Sequence, residues 1–143
     1  MDDAEEDWPA VVPELVVRDL DASVAFWCDI LGFRVRFKRP EDGFAYLEQG
    51  RAHIMLERLA EGAWLTGAME PPFGRGINLQ IEVADAAAIH DRVAAAGVAP
   101  FRPLRTNWYR EGDRENGQAE FLVQDPDGYL LRFMQHLGDR PAR

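Results

Sequence analysis

Arg132 is the residue whose type and position most strongly indicate a binding site. It interrupts an otherwise apolar strand pattern that runs from Tyr129 to Phe133. Burying an unpaired guanidinium is unfavourable by several kcal/mol, so we expect Arg132 to reach solvent or to meet an acid such as Glu14 inside a cavity. Two interpretations stand side by side: an internal ion pair that holds the fold together, or a charged pair that orients a ligand.

Other polar residues are placed to line the same cavity. Glu14 precedes the apolar Leu15, and the alternation in residues 77–83 puts Asn78 and Gln80 on one face of a strand. One side of such a strand packs and the other stays polar. The sequence therefore predicts a cavity with polar walls.

Aromatic residues supply flat surfaces for a ligand. Trp64 and the pair Trp108 and Tyr109 are the strongest candidates, because they fall in a predicted linker and in a predicted loop, where no regular core face needs filling. The predicted ligand-binding residues are Glu14, Phe37, Phe44, Tyr46, Trp64, Asn78, Gln80, Trp108, Tyr109 and Arg132.

No metal site is predicted from the histidines. His53 lies on a predicted strand, His90 on a helix and His136 near a chain end, and no pair has local metal-ligand spacing. Each is interpreted as a surface or boundary residue. The single cysteine, Cys28, is interpreted as a core thiol because no basic neighbour activates it.

Two copies of one βαβββ unit position these residues. Asp19 or Asp21 is expected to cap the first helix and Asp85 the second, and Gly32 and Gly97 are expected to end them. A repeat of this kind predicts an α+β fold made by duplication, with a binding cleft where its parts meet. The predicted strands are 14–17, 34–38, 43–48, 52–57, 77–83, a strand from about 101, 119–124 and 129–136.

The repeat also sets the expected domain organisation. We predict an acidic tail over residues 1–7, one domain over 8–137 and a second tail over 138–143. The domain contains modules at about 12–57 and 76–136, joined by a linker at 58–75 that is rich in glycine and proline.

Composition restricts the partners and the compartment. The net charge is −9, which disfavours nucleic acid and favours cationic partners. With one cysteine, no apolar leader and no long apolar run, we expect a cytoplasmic protein that does not enter a membrane.

The motifs VRDLDASVAFW (17–27), LGF (31–33) and FLVQDPDGY (121–129) resemble the vicinal oxygen chelate superfamily. Within it the chain looks most like the bleomycin resistance proteins and their glyoxalase-like relatives. The resemblance spans residues 12–137 and implies half barrels of four strands around a cavity, often in a homodimer. The superfamily includes isomerases, lyases, dioxygenases and metal-free resistance proteins, so the cavity must decide the function.

The resemblance also implies where a metal would bind. Enzymatic members hold a divalent metal with His, Gln and Glu on the first, fourth, fifth and eighth strands. The matching positions are Val12 or Pro13, Leu56 or Glu57, Asn78 and Arg132. This set predicts no metal and no cofactor, because an aliphatic residue has no lone pair and Arg132 brings a positive charge. A register shifted by one would instead turn Glu57 inward beside Glu14.

In bleomycin resistance proteins the planar bithiazole of the drug stacks between aromatic residues, and an acidic surface attracts its cationic tail. Phe37 matches one of these two aromatic positions. The second is expected within residues 115–119, which hold no tryptophan.

The sequence therefore predicts a metal-independent protein that sequesters a small flat or cationic molecule, bleomycin-like or otherwise aromatic, in a groove of a homodimer. Two alternatives remain: a metal-dependent glyoxalase-like lyase, isomerase or dioxygenase, and a structural or regulatory dimer with an empty groove.

Overall fold

A computed structural model describes residues 8–143. The chain divides into two compact units, the first reaching Pro71 and the second spanning Pro72–Arg143. The boundary lies inside the predicted linker. The predicted tail at 1–7 lies outside the described residues. No helix in residues 8–143 is long and apolar enough to cross a bilayer.

The first unit contains four strands in one sheet. Their order is β1, β4, β3, β2, with β1 parallel to β4 and the other neighbours antiparallel. The bounds are β1 Glu14–Val17, β2 Arg34–Arg39, β3 Phe44–Gln49 and β4 Ala52–Arg58. The four predicted strands are confirmed to within one residue at each end. Helix-facing positions such as Val17, Leu47 and Leu56 are fully buried.

The helix of the first unit departs from its prediction. Asp19 caps α1 (Leu20–Ala25) by accepting a hydrogen bond of 3.0 Å from the Ala22 amide. A π-helical segment, Phe26–Ile30, then replaces the expected α-helical turns. Its wider turn shifts the buried face, so Phe26 and Trp27 are buried whereas Cys28 is only half-buried.

The second unit repeats this arrangement. Its sheet order is β5, β8, β7, β6, again with one parallel pair, β5 and β8. The bounds are β5 Asn78–Glu82, α2 Ala86–Ala95, β6 Arg102–Glu111, β7 Arg114–Gln124 and β8 Leu130–Pro141. Asp85 caps α2 through the Ala88 amide, as predicted. The buried residues of α2 face a core that includes Phe121, Val123 and Phe133.

Three expectations for the second unit were wrong. Trp108 and Tyr109 lie on strand β6, and not in a loop. Strand β7 begins at Arg114 instead of Ala119, and β8 continues to Pro141, so residues 138–141 are strand rather than tail. These strand ends are polar on both faces, and backbone pairing of β7 with β6 and β8 forms them where side-chain alternation gives no signal.

Candidate functional site

The predicted ligand residues lie on the sheet of each unit, except Trp64, which lies in the segment after β4. In the first unit Glu14, Phe44 and Trp64 line one pocket of about 350 Å³. In the second unit a cavity of about 480 Å³ is lined by Asn78, Trp108, Tyr109 and Arg132. We call these the first-unit pocket and the second-unit pocket. They have no lining residue in common.

Three predicted residues lie outside both linings. Phe37 and Tyr46 stack on each other beside the first-unit pocket, with ring centroids 5.1 Å apart. Gln80 is exposed on β5, opposite Arg132 on β8. The structure thus distributes the ten predicted residues over separate groups within the two units.

Carboxylates dominate the first-unit pocket. Glu14, Asp42, Glu57 and Glu61 line it, against two arginines, Arg39 and Arg58. Burial raises the pKa of Glu14 above its ordinary value of 4.5. A hydrogen bond with Glu57 and the charge of Glu57 raise this pKa further, and Arg39 opposes the shift. The Glu14 carboxyl group therefore holds its proton more tightly than an isolated one does.

Two aromatic rings complete this pocket in different ways. The Arg39 guanidinium carbon lies 3.9 Å from the centroid of the Phe44 ring, so that ring already has a cationic neighbour. Trp64 is 93% exposed. Its ring is therefore the one surface of this pair that a flat ligand can cover without displacing a side chain.

A second aromatic cluster lies along the same sheet. The Trp8 ring meets Tyr46 edge-on at 4.8 Å, and the Arg36 guanidinium carbon lies 4.0 Å from the Trp8 centroid. Phe37 is 37% exposed at the margin of the cluster. These rings pack mainly against one another, so Tyr46 serves the core more than a ligand.

His53 corrects the interpretation of the histidines as surface or boundary residues. It is buried, and its Nδ1 shares a hydrogen bond of 2.7 Å with the Tyr46 hydroxyl. Its Nε2 lies 3.4 Å from Glu48, which also forms ion pairs with Arg34 and Arg36. Because each of its buried polar groups has a partner, this cluster stabilises the sheet.

In the second-unit pocket, Glu120 organises the polar side chains. Its Oε1 accepts a hydrogen bond of 3.0 Å from Asn107 and another from the Tyr109 hydroxyl. Its Oε2 lies 3.9 Å from a terminal nitrogen of Arg132. The hydrogen bond to Glu120 raises the pKa of Tyr109, with burial and the Glu120 charge adding to the shift. Within its own unit, the acid that meets Arg132 is thus Glu120.

Trp108 on β6 pairs with Gly117, within the segment 115–119 that holds no tryptophan of its own. A Cβ atom at Gly117 would lie 2.7 Å from the Trp108 ring, so only glycine lets this indole lie across β7. The Arg140 guanidinium carbon is 3.9 Å from the same ring. The neighbouring strand β6 therefore supplies the aromatic surface that β7 lacks.

The strand registers show that the two pockets occupy equivalent positions. Glu57 on β4 lies opposite Phe44 on β3, and Arg132 on β8 lies opposite Leu122 on β7. Leu56, which the resemblance offered as one match for a metal-binding position, is fully buried on the helix-facing side. The shifted register, with Glu57 on the pocket side, is the observed one.

The first strands of the two copies align in the same way. Glu14 on β1 pairs with Met55 on β4, and Glu57 lies two residues further along β4. In the second unit, Asn78 on β5 pairs with Leu130 on β8, and Arg132 lies two residues further along β8. Two carboxylates in the first copy therefore correspond to an amide and a guanidinium in the second. The charge of the pocket is reversed between copies.

These residues do not fit the divalent metal of the superfamily's enzymes. The first pocket offers the adjacent carboxylates Glu14 and Glu57 beside a cation, Arg39. The second offers Asn78 and Arg132, of which the amide is a poor transition-metal ligand and the guanidinium repels a metal ion. Across the described part of the chain, no three His, Cys, Asp or Glu residues are grouped to hold a metal.

Comparisons with known proteins identify the family. Residues 10–133 match the Glyoxalase/Bleomycin resistance protein/Dioxygenase superfamily. The chain belongs to this superfamily. A bleomycin resistance protein from Geobacillus stearothermophilus is 29% identical over 135 residues, which cover 88% of this chain and 96% of that protein.

Solved structures share the fold of this chain. TioX from Micromonospora sp. ML1 superposes with a TM-score of 0.71 at 26% identity, covering 90% of this chain and 99% of TioX. A bleomycin resistance determinant encoded on the transposon Tn5 superposes with a TM-score of 0.61 at 21% identity, covering 91% of this chain and 99% of the determinant. The predicted fold class and family resemblance are confirmed.

Sequence reasoning missed several pocket residues. Glu57 was assigned only as an alternative, because a shift of one residue turns every side chain of a strand to the other face. Arg102 and Arg105 line the second-unit pocket from β6, a strand whose extent was not predicted. The alternation of its strand predicts that Glu120 faces solvent. Only its burial and its hydrogen-bond partner in the structure mark it as a pocket residue.

Proposed function

We propose that this protein binds a small, flat, cationic molecule without a metal and sequesters it by stoichiometric capture. The observation that carries this proposal is the first-unit pocket, where the acids Glu14 and Glu57 face a nearly fully exposed ring, Trp64. No bond is made or broken in such a mechanism. The fraction of ligand that is captured then depends on the concentration of the protein and on its affinity for the ligand.

The charge of the pocket supports a cationic ligand. Four carboxylates against two arginines leave an excess of negative charge, and the whole chain carries −9. Burial, and after it the hydrogen bond and the charge of Glu57, raise the pKa of Glu14, and a cation beside Glu14 would oppose this shift. Binding would thus favour ionisation of Glu14.

The shape and the rings of the pocket support a flat ligand. Its volume of about 350 Å³ lies at the lower end of the range for small-molecule sites. Trp64 would cover one face of the ligand by stacking and by a cation–π interaction. Phe44 lines the pocket beneath Arg39, so a ligand cation that displaced Arg39 would gain the same ring.

The comparisons support the same class of function. A protein named for bleomycin resistance aligns over nearly its whole length, and bleomycin combines flat rings with a cationic tail. We further propose that the protein acts in the cytoplasm and as a homodimer. Light scattering on the purified protein tests the second point, with twice the mass of 16.2 kDa expected.

Calorimetry with copper-free bleomycin tests the proposal. We expect heat and tryptophan quenching at micromolar ligand, and about tenfold weaker binding by Trp64→Ala, because the open ring is lost. Trp64→Phe keeps a flat ring and is the matched control, with affinity close to that of the native protein.

The metal-free part of the proposal needs its own measurement. Elemental analysis of protein purified without chelator is expected to find no stoichiometric zinc, nickel, manganese or iron, and EDTA is expected to leave the affinity unchanged. A stoichiometric metal would favour the lyase, isomerase or dioxygenase alternative.

The Trp64 variants have their own contradicting outcome. Equal affinity of Trp64→Ala and the native protein for bleomycin would remove Trp64 from the site.

A further inference from the structure

Arg39 holds its guanidinium where the first-unit pocket would hold a flat cation. The guanidinium carbon lies 3.9 Å from the centroid of the Phe44 ring and 5.8 Å from that of Phe37. We propose that Arg39 is an internal occupant of this site, and that the pocket selects a ligand whose planar amidinium or guanidinium group displaces it. This inference rests on the proposed capture of a cation, and it names the chemical class of that cation.

The turn between β2 and β3 places Arg39 over the ring. Arg39 is the last residue of β2 and pairs with Phe44, the first residue of β3. Between them a 3-10 helix, Pro40–Asp42, ends at Gly43, whose φ of +62° lies in the left-handed region. The chain reverses tightly enough to bring Asp42 back beside Arg39, whose Nε donates a hydrogen bond of 3.3 Å to the Asp42 carboxylate.

The pocket surrounds this guanidinium as it would surround a bound cation. The Phe44 ring lies under its flat face, and the Asp42 carboxylate lies at its edge. The charge of Arg39 also reaches Glu14, since it opposes the rise in the pKa of that carboxyl group. A ring, a carboxylate at the edge and a second acid nearby form the environment that a planar cation prefers.

Arg39 is held weakly enough to be displaced. Its side chain is 48% exposed, and Asp42, its one ion-pair partner within residues 8–143, is 61% exposed. Ion pairs with this degree of exposure contribute little to stability. Phe44, by contrast, is only 5% exposed. A ligand therefore reaches the face of this ring only by taking the place of the guanidinium.

Displacement of Arg39 distinguishes between cations of the same charge. An amidinium is planar like a guanidinium, so it can lie on Phe44 and present two parallel N–H groups to a carboxylate. An alkylammonium has a tetrahedral head that offers the charge alone. We expect the native protein at pH 7 to bind benzamidine at least about fivefold more tightly than benzylamine, which has the same ring and the same charge. Calorimetric titration with each compound measures this preference.

Arg39→Gln removes the internal occupant. Because no side-chain cation then has to be displaced, we expect benzamidine to bind about tenfold more tightly to this variant than to the native protein. The residue is exposed, so the variant retains the fold.

Arg51→Gln is the matched control for the change in charge. Arg51 is also an exposed residue of the first unit, and it lies outside the pocket lining. Its replacement removes the same charge and should leave benzamidine affinity within about twofold, since exposed charges at a distance are screened. An equal gain in Arg51→Gln would mean that net charge alone sets the affinity, and it would overturn the role of Arg39.

NMR of the arginine Nε–H groups follows the displacement directly. The signal of Arg39, identified by its absence in Arg39→Gln, should shift when benzamidine breaks the hydrogen bond to Asp42. If Arg39 served only to cover Phe44, benzamidine would leave this signal in place.

The outcomes separate this inference from the proposed function. Benzamidine binding to the native protein without a gain in Arg39→Gln, or equal affinity for benzylamine, would overturn the inference and leave cation capture standing. Absence of benzamidine binding to both proteins would overturn both proposals. Binding by Arg39→Gln alone would support the inference, since Arg39 would then block the site in the native protein.

Discussion

The two units place opposite charges at equivalent positions of the same fold. Glu14 and Glu57 in the first unit correspond in register to Asn78 and Arg132 in the second. Arg39 pairs with Phe44, and Arg102 pairs with Leu122. These two arginines also occupy equivalent positions, and they carry the same charge. The two units therefore share one frame and differ at two pocket positions, where an acid in the first unit stands against an amide or a base in the second.

The helix-facing sides of the two sheets show no such divergence. Leu47 and Leu56 in the first unit, and Val123 and Leu131 in the second, are fully buried apolar residues on the central strands. Packing restricts those positions to apolar side chains of suitable volume. The pocket faces are free of that restriction, so they can carry different ligands on one architecture.

Glu120→Gln is expected to give the largest effect on this contrast. It leaves Arg132 without its counter-ion and disturbs the hydrogen bonds of Asn107 and Tyr109, so the free energy of unfolding should fall by about 1–3 kcal/mol. Urea unfolding of the native protein and of the variant measures this loss.

Ultraviolet titration provides a second readout for Glu120→Gln. The native hydrogen bond to Glu120 raises the pKa of Tyr109, so this pKa should fall in the variant. As a control, Glu111→Gln changes an exposed carboxylate on β6 outside the pocket lining and should move neither the free energy of unfolding nor the pKa of Tyr109. An unchanged pKa of Tyr109 in Glu120→Gln would contradict the role given to Glu120.

Tyr46→Phe tests whether the buried polar cluster of the first unit is structural. Loss of the hydroxyl leaves His53 Nδ1 without its partner, so we expect a loss of about 1 kcal/mol in the free energy of unfolding. Affinity for a cationic ligand should stay the same, because Tyr46 does not line the first-unit pocket. A marked loss of cation affinity in Tyr46→Phe would extend the ligand site to this cluster.

The pH dependence of cation binding is expected to be the smallest effect. The pKa of Glu14 is raised above 4.5, so the carboxyl group loses its proton only as pH rises through that higher value. Cation affinity should therefore increase about two- to fivefold with rising pH across this window. The folded state holds the proton more tightly, so the same rise in pH should slightly lower the free energy of unfolding.

Glu57→Gln is the companion variant for this titration. It removes the charge that helps to raise the pKa of Glu14, so the change in affinity should move to lower pH. Calorimetry with benzamidine between pH 4 and 7 measures the shift. An affinity that is flat with pH in the native protein would mean that Glu14 does not face the cation.

Much of the fold could be predicted from the sequence because short-range signals carry it. Asp19 and Asp85 cap their helices as expected, and all four strands of the first unit were located. These elements combine hydrophobic alternation with capping or turn residues, so that local preference and packing agree.

The site was predicted only in part because it depends on register and on pairing between distant strands. Glu14 and Trp64 meet in one pocket as candidates, but their partner Glu57 required the correct face of β4. Trp108 was assigned to a loop because its polar strand segment shows no alternation. Nothing local in the sequence marks Glu120 as the buried partner of Arg132.

A paired titration followed by NMR of the indole groups tests the central claim most directly. Benzamidine and benzyl alcohol each carry one phenyl ring, but only benzamidine is a cation, and Trp64 lines the first-unit pocket. We predict that benzamidine shifts the indole signal of Trp64 and that benzyl alcohol leaves it in place. A shift of this signal by both probes, or by neither, would contradict the account.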